Sequence, residues 1–549
     1  MRVAVIAPPY PLEEAPSPPL GVCYVASAFE ATGADVKIID YIVSRYTPDK
    51  LKDEIDTFKP DIVGATSVTM NFPIAASIIK TAKQHNPSIL TMMGGPHVSF
   101  DPVNTLLKYP EIDVLVIGEG ENTLKELVPH IKNKSEWANI KGIAFREGEK
   151  VIITRPRELI QNLDSLPLPA RHLLPLSRYQ ILGFPISMIT SRGCPYQCIF
   201  CVGRRMVGNR VRYRGARFVV DEIEHILSYG FSRINIADDL FTSNKTKVRE
   251  ICEEILRRGL TFSWSAFARV NTVDEEVLTL MRDAGCDTVS FGIESGNPEM
   301  LKRIKKGITL DHARRAVKLC KEVGMLAHAS FMVGLPGESP ETLKDTHEFA
   351  QSLDIPYGYH FLAPFPGTTV REEIERYDLE ILTHDWSRYD ANSAIVRTSK
   401  LSPEETESFV AEFDKQNDEK WEDLKKGYIN GTNTPEENLR VEGYYRMNLV
   451  YRLLSEDIIE EYCTFPIDSL GKQPREKVDL LCKKITKITK MDTKLITNTM
   501  KDFLDAGYIK SRVIDKNLVW YWTHNNEMDF GPYTQDNDSL GSRAISVAK

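Results

Sequence analysis

The amino-acid sequence predicts an α/β protein with two α/β domains and a mainly helical C-terminal region. In the first 135 residues, short β-branched segments alternate with amphipathic helical segments, and the same alternation returns from about residue 185 to 370. From residue 371 onward the pattern is helical. The chain of 549 residues also exceeds the length at which one hydrophobic core stops growing, which favours several domains.

Residues 1–135 are predicted to form a doubly wound, Rossmann-like parallel sheet. Its strands are expected at RVAVIAP, DVKIID, DIVGATS, ILTMMGG and DVLVIGEG, each followed by an amphipathic segment. Ligands of such sheets bind beyond the carboxyl ends of the strands. Small and turn residues fall at those ends, so we expect the ligand pocket beside Ser67, Thr69, Gly94, Gly95, Gly118 and Gly120.

A hairpin and a proline-rich linker are predicted over residues 136–184, at KGIAFREGEKVIITRP and LDSLPLPARHLLPL. Residues 185–370 are then predicted to form a partial (β/α)6 TIM-like barrel. Its six strands are expected at PISMITS, RINIADD, FSWSAFARV, TVSFGIES, AHASFMVG and GYHFLAPF. Polar residues follow each strand, and in such barrels that end is the catalytic face.

The C-terminal region, residues 371–525, is predicted to be helical and to end in two helices and a hairpin that resemble a winged helix. Residues 526–549 are polar and predicted to be disordered. A winged helix leaves nucleic-acid binding open as a function, with the barrel as a sensor. Acidic residues interrupt its basic face, at Asp492, Asp502 and Asp505, which disfavours that alternative.

The composition limits the class of protein further. With 69 basic and 77 acidic residues, the formal charge is −8, which gives no general attraction to nucleic acid or anionic lipid. No secretory signal and no membrane span are predicted. Nine cysteines in so long a chain favour thiols and metal ligation over a disulfide framework, so we expect a cytoplasmic protein.

Cys194, Cys198 and Cys201 carry the strongest chemical signal, a C-x3-C-x2-C motif directly after the first barrel strand. A [4Fe–4S] cluster normally takes four cysteine ligands, so three leave one iron open to chelate a second molecule. A zinc knuckle is the alternative. Zinc sites usually use paired Cys or Cys/His units, and no such pair follows at suitable spacing. The motif therefore predicts a [4Fe–4S] site.

This motif and the whole 185–370 segment resemble the radical S-adenosylmethionine (SAM) superfamily. The resemblance implies that the backbone at Phe200 faces the adenine of SAM, that Asp238 and Asp239 hold its amino group, and that Arg269 pairs with its carboxylate. It further implies that Glu294 binds the ribose and that the GLPGE segment, with Gly334, Leu335, Pro336 and Gly337, lies against the adenine.

Local structural roles are the alternatives at these positions. One of the two aspartates is expected to cap the following helix. Glu294 could be an exposed turn carboxylate, and Arg269 could neutralise an acid at the barrel rim.

The N-terminal domain is similar to the cobalamin-binding domain that precedes many radical SAM barrels. The similarity is carried by APPYP after the first strand, SVT at 67–69, GGPH at 94–97 and GEGE at 118–121. It implies cobalamin contacts at Ser67, Thr69, Gly94, Gly95, Gly118, Glu119 and Gly120. The loop after the first strand contains no histidine, which predicts a base-off cobalamin without a histidine ligand, and His97 is expected to pack locally. A dinucleotide site is disfavoured because that loop lacks G-x-G-x-x-G.

The two resemblances together imply a class B cobalamin-dependent radical SAM methyltransferase that methylates an unactivated sp3 carbon. In that class one SAM methylates the corrin, and a second is cleaved to a 5′-deoxyadenosyl radical that abstracts a substrate hydrogen. An oxidative cyclase of the same architecture is the alternative. An external flavodoxin- or ferredoxin-type electron donor is also implied.

The substrate is predicted to be a protein or a small molecule. The extended C-terminal region suits a protein-modifying enzyme, such as the glutamine C-methyltransferase of methyl-coenzyme M reductase. The remaining cysteines are expected to be buried apolar residues: Cys23, Cys252, Cys286, Cys320, Cys463 and Cys482.

Overall fold

The structure is a computed structural model that describes residues 1–467 and 474–527. The N-terminal part contains a seven-stranded sheet in the order β2-β1-β3-β4-β5-β6-β7, whose first five strands in the sequence are parallel. Its strands are β1 (Arg2–Ala7), β2 (Asp35–Asp40), β3 (Ile62–Thr66), β4 (Leu90–Gly94), β5 (Val114–Val116), β6 (Ile143–Glu147) and β7 (Lys150–Ile153). Its helices are α1 (Leu20–Glu30), α2 (Pro48–Phe58), α3 (Phe72–His85), α4 (Pro96–Phe100), α5 (Pro102–Lys108) and α6 (Glu121–Leu127).

This sheet is buried on both faces, as a doubly wound fold requires. Along β1, Val3 and Val5 belong to one apolar cluster, and Ala4 and Ile6 belong to the cluster on the other face. The predicted hairpin is β6–β7, and the structure shows that it extends the same sheet, since β6 pairs antiparallel with β5. The hairpin is therefore part of the N-terminal sheet and not a free connection.

The second sheet has six parallel strands in the order β15-β14-β13-β12-β11-β8, which confirms the predicted partial barrel. These strands are β8 (Ile186–Met188), β11 (Arg233–Ile236), β12 (Ser263–Ala268), β13 (Cys286–Glu294), β14 (Leu326–Val333) and β15 (Tyr357–Phe361). Two short strands, β9 (Ser191–Arg192) and β10 (Arg212–Tyr213), form an antiparallel ladder between β8 and β11. The helices of this part are α7 (Leu176–Leu182), α8 (Gly203–Val207), α9 (Ala216–Ser228), α10 (Lys245–Arg258), α11 (Glu275–Asp283), α12 (Pro298–Arg303), α13 (Leu310–Val323), α14 (Pro340–Ser352) and α15 (Thr369–Glu372).

Helix α10 illustrates how the sequence sets the outer layer of the barrel. The Asn244 side chain caps its first turn by accepting the N–H groups of Thr246 and Lys247. Gly259 ends the helix in the left-handed conformation, with φ +63°. Between the caps, every third or fourth residue is apolar and buried, namely Val248, Ile251, Cys252 and Ile255. One stripe of the helix thus packs on the sheet.

The remaining elements form the C-terminal region. They are β16 (Glu380–Ile381), β17 (Val396–Arg397), α16 (Pro403–Asn430), α17 (Pro435–Ser455), α18 (Ile458–Tyr462), β18 (Thr464–Pro466), α19 (Pro474–Thr489), α20 (Thr493–Asp505), β19 (Ile509–Ile514) and β20 (Asn517–Trp522). The order of α19, α20 and the β19–β20 hairpin is the predicted winged-helix-like order, with β18 as a third strand.

The predicted disordered tail lies mostly outside the described residues, which end at 527. Residues 525–527, where this segment begins, form a short 3-10 helix. No helix within residues 1–467 and 474–527 is long and apolar enough to cross a membrane.

Candidate active site

The three motif cysteines lie in one loop between β9 and β10, at the carboxyl end of the first barrel strand. Cys194 and Cys198 are half-buried and Cys201 is exposed. Gly193 precedes the loop with φ +114°, and a side chain there would overlap the backbone oxygen of Arg210, so the turn requires glycine. The N–H of Cys194 donates to the Gly208 oxygen at 3.1 Å, which closes the loop. The loop is thus anchored at its base.

The donors of this loop suit a multi-iron cluster. Among the described residues, no three His, Cys, Asp or Glu side chains converge tightly enough for a single ion. The thiols nevertheless influence one another: burial raises the pKa of Cys194, and negative charge at Asp239 and Cys198 raises it further. A [4Fe–4S] cluster is larger than one ion, so its thiolate ligands need not meet at a point.

Arg269 lies directly against this loop. It follows β12, is 6% exposed, and its guanidinium carbon is 3.6 Å from the centroid of the Tyr196 ring. One nitrogen, Nη1, is 3.8 Å from the Cys198 sulfur, and Nη2 donates to the backbone oxygen of Lys306. The structure therefore brings the predicted SAM-binding arginine to the cysteine loop. Stacking and hydrogen bonding fix its plane.

Glu294 ends β13 as a buried, paired carboxylate. It is 8% exposed and has φ +75°, which is uncommon for a residue with a side chain. The ammonium of Lys306 lies 2.7 Å from its Oε1 and 5.8 Å from the Phe200 ring centroid. The structure therefore excludes the exposed turn carboxylate considered from the sequence. Lys306 was missed because it follows helix α12, whereas the predicted site residues were sought after strands.

Asp238 and Asp239 differ in what they contact. Asp238 is buried and accepts three hydrogen bonds of 2.6 Å, from the N–H and hydroxyl of Thr190 and from the hydroxyl of Ser191. Asp239 accepts the N–H of Gly193 at 3.4 Å, so it faces the cysteine loop. The expected capping role is wrong for both, because the Asn244 side chain caps α10. Asp239 remains the acid available to a ligand.

The GLPGE segment forms a tight loop after β14. Gly334 and Gly337 have φ of +80° and +69°, and Arg303 donates to the Pro336 oxygen at 2.9 Å. Glu338 was not among the predicted residues, yet its buried Oε2 accepts the N–H groups of Gly334 and Leu335 at 2.6 and 3.1 Å. Burial raises the pKa of Glu338 to about 8. The loop is thus held by a buried acid.

A cavity of about 70 Å³ opens at the carboxyl edge of the N-terminal sheet. Four of the predicted glycines line it together with apolar side chains: Gly94, Gly95, Gly118 and Gly120. Beside it, Ser67 is fully buried, and its hydroxyl has no hydrogen-bond partner in the described part of the chain. The small residues along this slot and the unsatisfied hydroxyl at its border are the features that close approach of a corrin nucleotide tail would require.

Three residues predicted at this site are absent from the cavity wall. Ser67 lies behind Gly95, and Thr69 is 3.4 Å from Nδ1 of His97. Glu119 instead pairs with Arg192 and Arg212 of the β9–β10 ladder, because two cations lie directly opposite its carboxylate. Burial alone would raise the pKa of Glu119. The two arginines outweigh this effect, so the pKa of Glu119 lies below its ordinary value.

His97 packs locally, as expected. Its ring stacks on Phe72 with centroids 4.0 Å apart, and Trp386 contacts it edge-on at 5.0 Å. Burial and the charge of Arg371 lower the pKa of His97 to about 4. The six cysteines outside the motif are all buried, also as expected.

Fold and site together define an enzyme that pairs an iron–sulfur loop with a corrin-binding domain. The radical SAM superfamily model matches residues 188–350, and the B12 binding domain model matches residues 14–128. An uncharacterized methyltransferase of Pyrococcus horikoshii is 40% identical over 391 residues, which are 71% of this chain and 85% of the relative. The anaerobic magnesium-protoporphyrin IX monomethyl ester cyclase of Rubrivivax gelatinosus is 32% identical over 66% of this chain and 68% of the relative.

Solved structures share the fold. The radical SAM methyltransferase TsrM from Kitasatospora setae, with cobalamin and a [4Fe–4S] cluster, has a TM-score of 0.62 at 22% identity, over 73% of this chain and 84% of that chain. The cobalamin-dependent S-adenosylmethionine radical enzyme OxsB has a TM-score of 0.60 at 18% identity, over 92% of this chain and 78% of that chain. The chain belongs to the family of cobalamin-dependent radical SAM enzymes, whose cofactors are a [4Fe–4S] cluster, SAM and cobalamin.

Proposed function

We propose that this enzyme is a methyltransferase that methylates an unactivated sp3 carbon. The observation that carries the proposal is the convergence of Arg269, Asp239 and the Glu294–Lys306 pair around the cysteine loop, in a chain whose N-terminal sheet also has a glycine-lined slot. When bound, the cluster and SAM supply the radical that takes a hydrogen atom, and the corrin supplies the methyl group.

The proposed SAM contacts follow from the chemistry of each side chain. Arg269 offers a fixed guanidinium, which suits bidentate pairing with the SAM carboxylate. Asp239 suits its ammonium, and Glu294 suits the two ribose hydroxyls. Lys306 fixes the position of the Glu294 carboxylate, and Glu338 holds the GLPGE backbone against which adenine would lie.

The proposed cobalamin is base-off and has no histidine ligand. The segment from residue 8 to 19, between β1 and α1, contains no histidine. The histidine after β4, His97, is enclosed by Phe72 and Trp386 and keeps its neutral form. The nucleotide tail would enter the glycine-lined cavity between β4 and β5.

An oxidative cyclase is the second candidate, because the cyclase of Rubrivivax gelatinosus is 32% identical. The methyltransferase proposal has the stronger support: the relative at 40% identity carries that name, and a hopanoid C-3 methylase of Methylococcus capsulatus is 27% identical over 70% of this chain.

We propose a protein side chain, such as glutamine, as the methyl acceptor, and a flavodoxin- or ferredoxin-type protein as electron donor. Residues beyond 350 lie outside both matching family models and add a long helical hairpin and the winged-helix-like end. Large apolar side chains on this hairpin are exposed, including Ile429 at 77% and Leu439 at 68%. Such groups suit contact with another protein.

The test is anaerobic incubation of the reconstituted enzyme with methyl-labelled SAM, a reductant and a cell extract, followed by location of the label. Each methylated product should be accompanied by one S-adenosylhomocysteine and one 5′-deoxyadenosine. Consumption of one SAM without S-adenosylhomocysteine would instead support the cyclase. Cys198→Ala should abolish both products, whereas Cys252→Ala, in the buried face of α10, should retain them.

A further inference from the structure

Two loops from different domains meet at a group of four charged side chains, which we call the clamp: Glu119, Glu121, Arg192 and Arg212. Arg212 binds Glu119 through two parallel hydrogen bonds, each 2.9 Å. Arg192 bridges the two acids, with 3.1 Å to Glu119 and 2.6 Å to Glu121. The clamp therefore joins the GEGE loop of the N-terminal sheet to both strands of the β9–β10 ladder.

The clamp is buried and its charges balance. The four side chains are between 6% and 10% exposed, and two carboxylates face two guanidinium groups. Backbone groups form further hydrogen bonds with the clamp: the N–H of Ile160 donates to Glu119 at 2.7 Å, and Arg212 donates to the backbone oxygens of Ile160 and Val207. A buried network of balanced charges fixes the relative position of its elements more than it adds net stability.

Each side of the clamp is adjacent to a different cofactor site. Glu119 lies between Gly118 and Gly120, which both line the cavity at the edge of the N-terminal sheet. Arg192 precedes Gly193 and Cys194 in the chain. Its backbone lies opposite that of Arg212 in the β9–β10 ladder, so the two arginines flank the cysteine loop at its two ends. A displacement of the cavity wall at Gly118 and Gly120 would therefore be transmitted to the cysteine loop through the clamp.

We propose that the clamp couples cobalamin binding to cluster binding, with Glu119 as its central positioning residue. Each group, when bound, favours the loop arrangement that the other requires. The proposal rests on the cofactor sites of the proposed function. Because coupling between two sites is reciprocal, cobalamin should bind more tightly to the cluster-loaded chain than to the cluster-free chain.

The experiment is a titration of the full-length protein with hydroxocobalamin, with and without a reconstituted [4Fe–4S] cluster. The affinity should differ by at least about fivefold in the wild type, the lower end of typical coupling. Glu119→Gln should bring the ratio close to one while keeping the visible absorption of the cluster. Glu126→Gln is the matched control, because Glu126 pairs with Arg157 without a partner in the barrel, and it should keep the wild-type ratio.

The outcomes are distinguishable. No binding of cobalamin by the wild type would overturn the corrin assignment and the coupling together, whereas binding with equal affinities would overturn the coupling alone. A wild-type ratio in Glu119→Gln would also overturn it. If Glu119→Gln does not fold, Glu121→Gln removes a single ion pair of 2.6 Å and should at least halve the ratio, and an unchanged ratio there counts against the proposal.

Discussion

The ammonium of Lys306 and the carboxylate of Glu294 form an ion pair that is about nine-tenths buried, with side chains 8% and 11% exposed. Removing one partner of such a pair is costly because the other charge stays buried without compensation. We expect Lys306→Met to lower the free energy of unfolding of the barrel by about 3–5 kcal/mol.

Adding Glu294→Gln to Lys306→Met should restore most of the lost free energy of unfolding, since neither member of the pair then carries a buried charge. Urea denaturation of the two single variants and the double variant measures this. The control is Lys344→Met, which removes an exposed pair with Glu348 and should cost no more than about 1 kcal/mol. Additive effects of the two substitutions would contradict the pairing.

Glu338 predicts a pH dependence at the GLPGE loop. Burial raises its pKa from 4.5 to about 8, so between these values the folded chain keeps a proton that the unfolded chain has released. Its contribution to stability is therefore complete below pH 4.5 and is lost as the pH rises to about 8, by up to ~1.4 kcal/mol per pH unit. Glu338→Gln removes this loss.

Thermal denaturation of the wild type and Glu338→Gln at several pH values between 5 and 8 measures the effect. The variant should gain stability relative to the wild type as the pH rises. A difference that stays constant across this range would show that the carboxyl ionises near its ordinary pKa.

At the scale of elements, the strands were predictable from short β-branched segments that alternate with amphipathic helical segments. The loop that holds the cysteines was also predictable, because the motif directly follows the first barrel strand. The sequence did not show that β6 and β7 would join the N-terminal sheet, because a hairpin pattern predicts two paired strands but not which further strand pairs with them. Lys306 and Glu338 were missed for a related reason. The role of Lys306 comes from a partner, Glu294, that the barrel brings close. Glu338 belongs to the GLPGE motif, but the motif does not show that its carboxyl is buried and accepts the N–H groups of Gly334 and Leu335.

The turn after β4 predicts a contrast between two adjacent glycines. A Cβ at Gly94 would meet Val116 at 3.8–3.9 Å, an ordinary contact, whereas Gly95 has φ +103° and a Cβ there would overlap the Ser67 backbone. Gly94→Val should therefore fold and lose cobalamin by filling the cavity, whereas Gly95→Val should lose both stability and cobalamin.

Retention of hydroxocobalamin after gel filtration, together with melting temperature, separates these outcomes. The control is Gly443→Val on α17, where no heavy atom lies within 4 Å of an added Cβ, and it should retain cobalamin. Wild-type cobalamin content in Gly94→Val would move the nucleotide tail away from this cavity.

At the scale of the whole molecule, the C-terminal region docks on helix α2 with the loop before it and on the linker with its helix α7. The hydroxyl of Ser177 donates to the Thr523 oxygen at 2.9 Å, and Asn525 donates to the oxygens of His172 and Leu174. The helical pattern of this region was predictable from the sequence, but its docking was not, because its contacts join residues separated by more than 250 positions in the chain.

Asp457 is the polar centre of this docking. It is 1% exposed and binds three groups from two other segments: the N–H of Arg45 at 3.2 Å, the ammonium of Lys50 at 2.6 Å and the guanidinium of Arg178 at 3.4 Å. Asp457→Asn keeps a residue that tolerates its φ of +46° but removes the charge. Lys50 is partly exposed and Arg178 keeps Glu460 as a second partner, so we expect a loss of about 1–3 kcal/mol in the docking of the C-terminal region.

Limited proteolysis followed by mass spectrometry should then show faster release of fragments beginning after residue 400 in Asp457→Asn. Asp423→Asn is the matched control, because it removes only an exposed pair with Lys426 on α16 and should leave the cleavage rate unchanged. Equal cleavage rates in the two variants would mean that apolar packing between α17, α20 and α7 holds the region without this charge network.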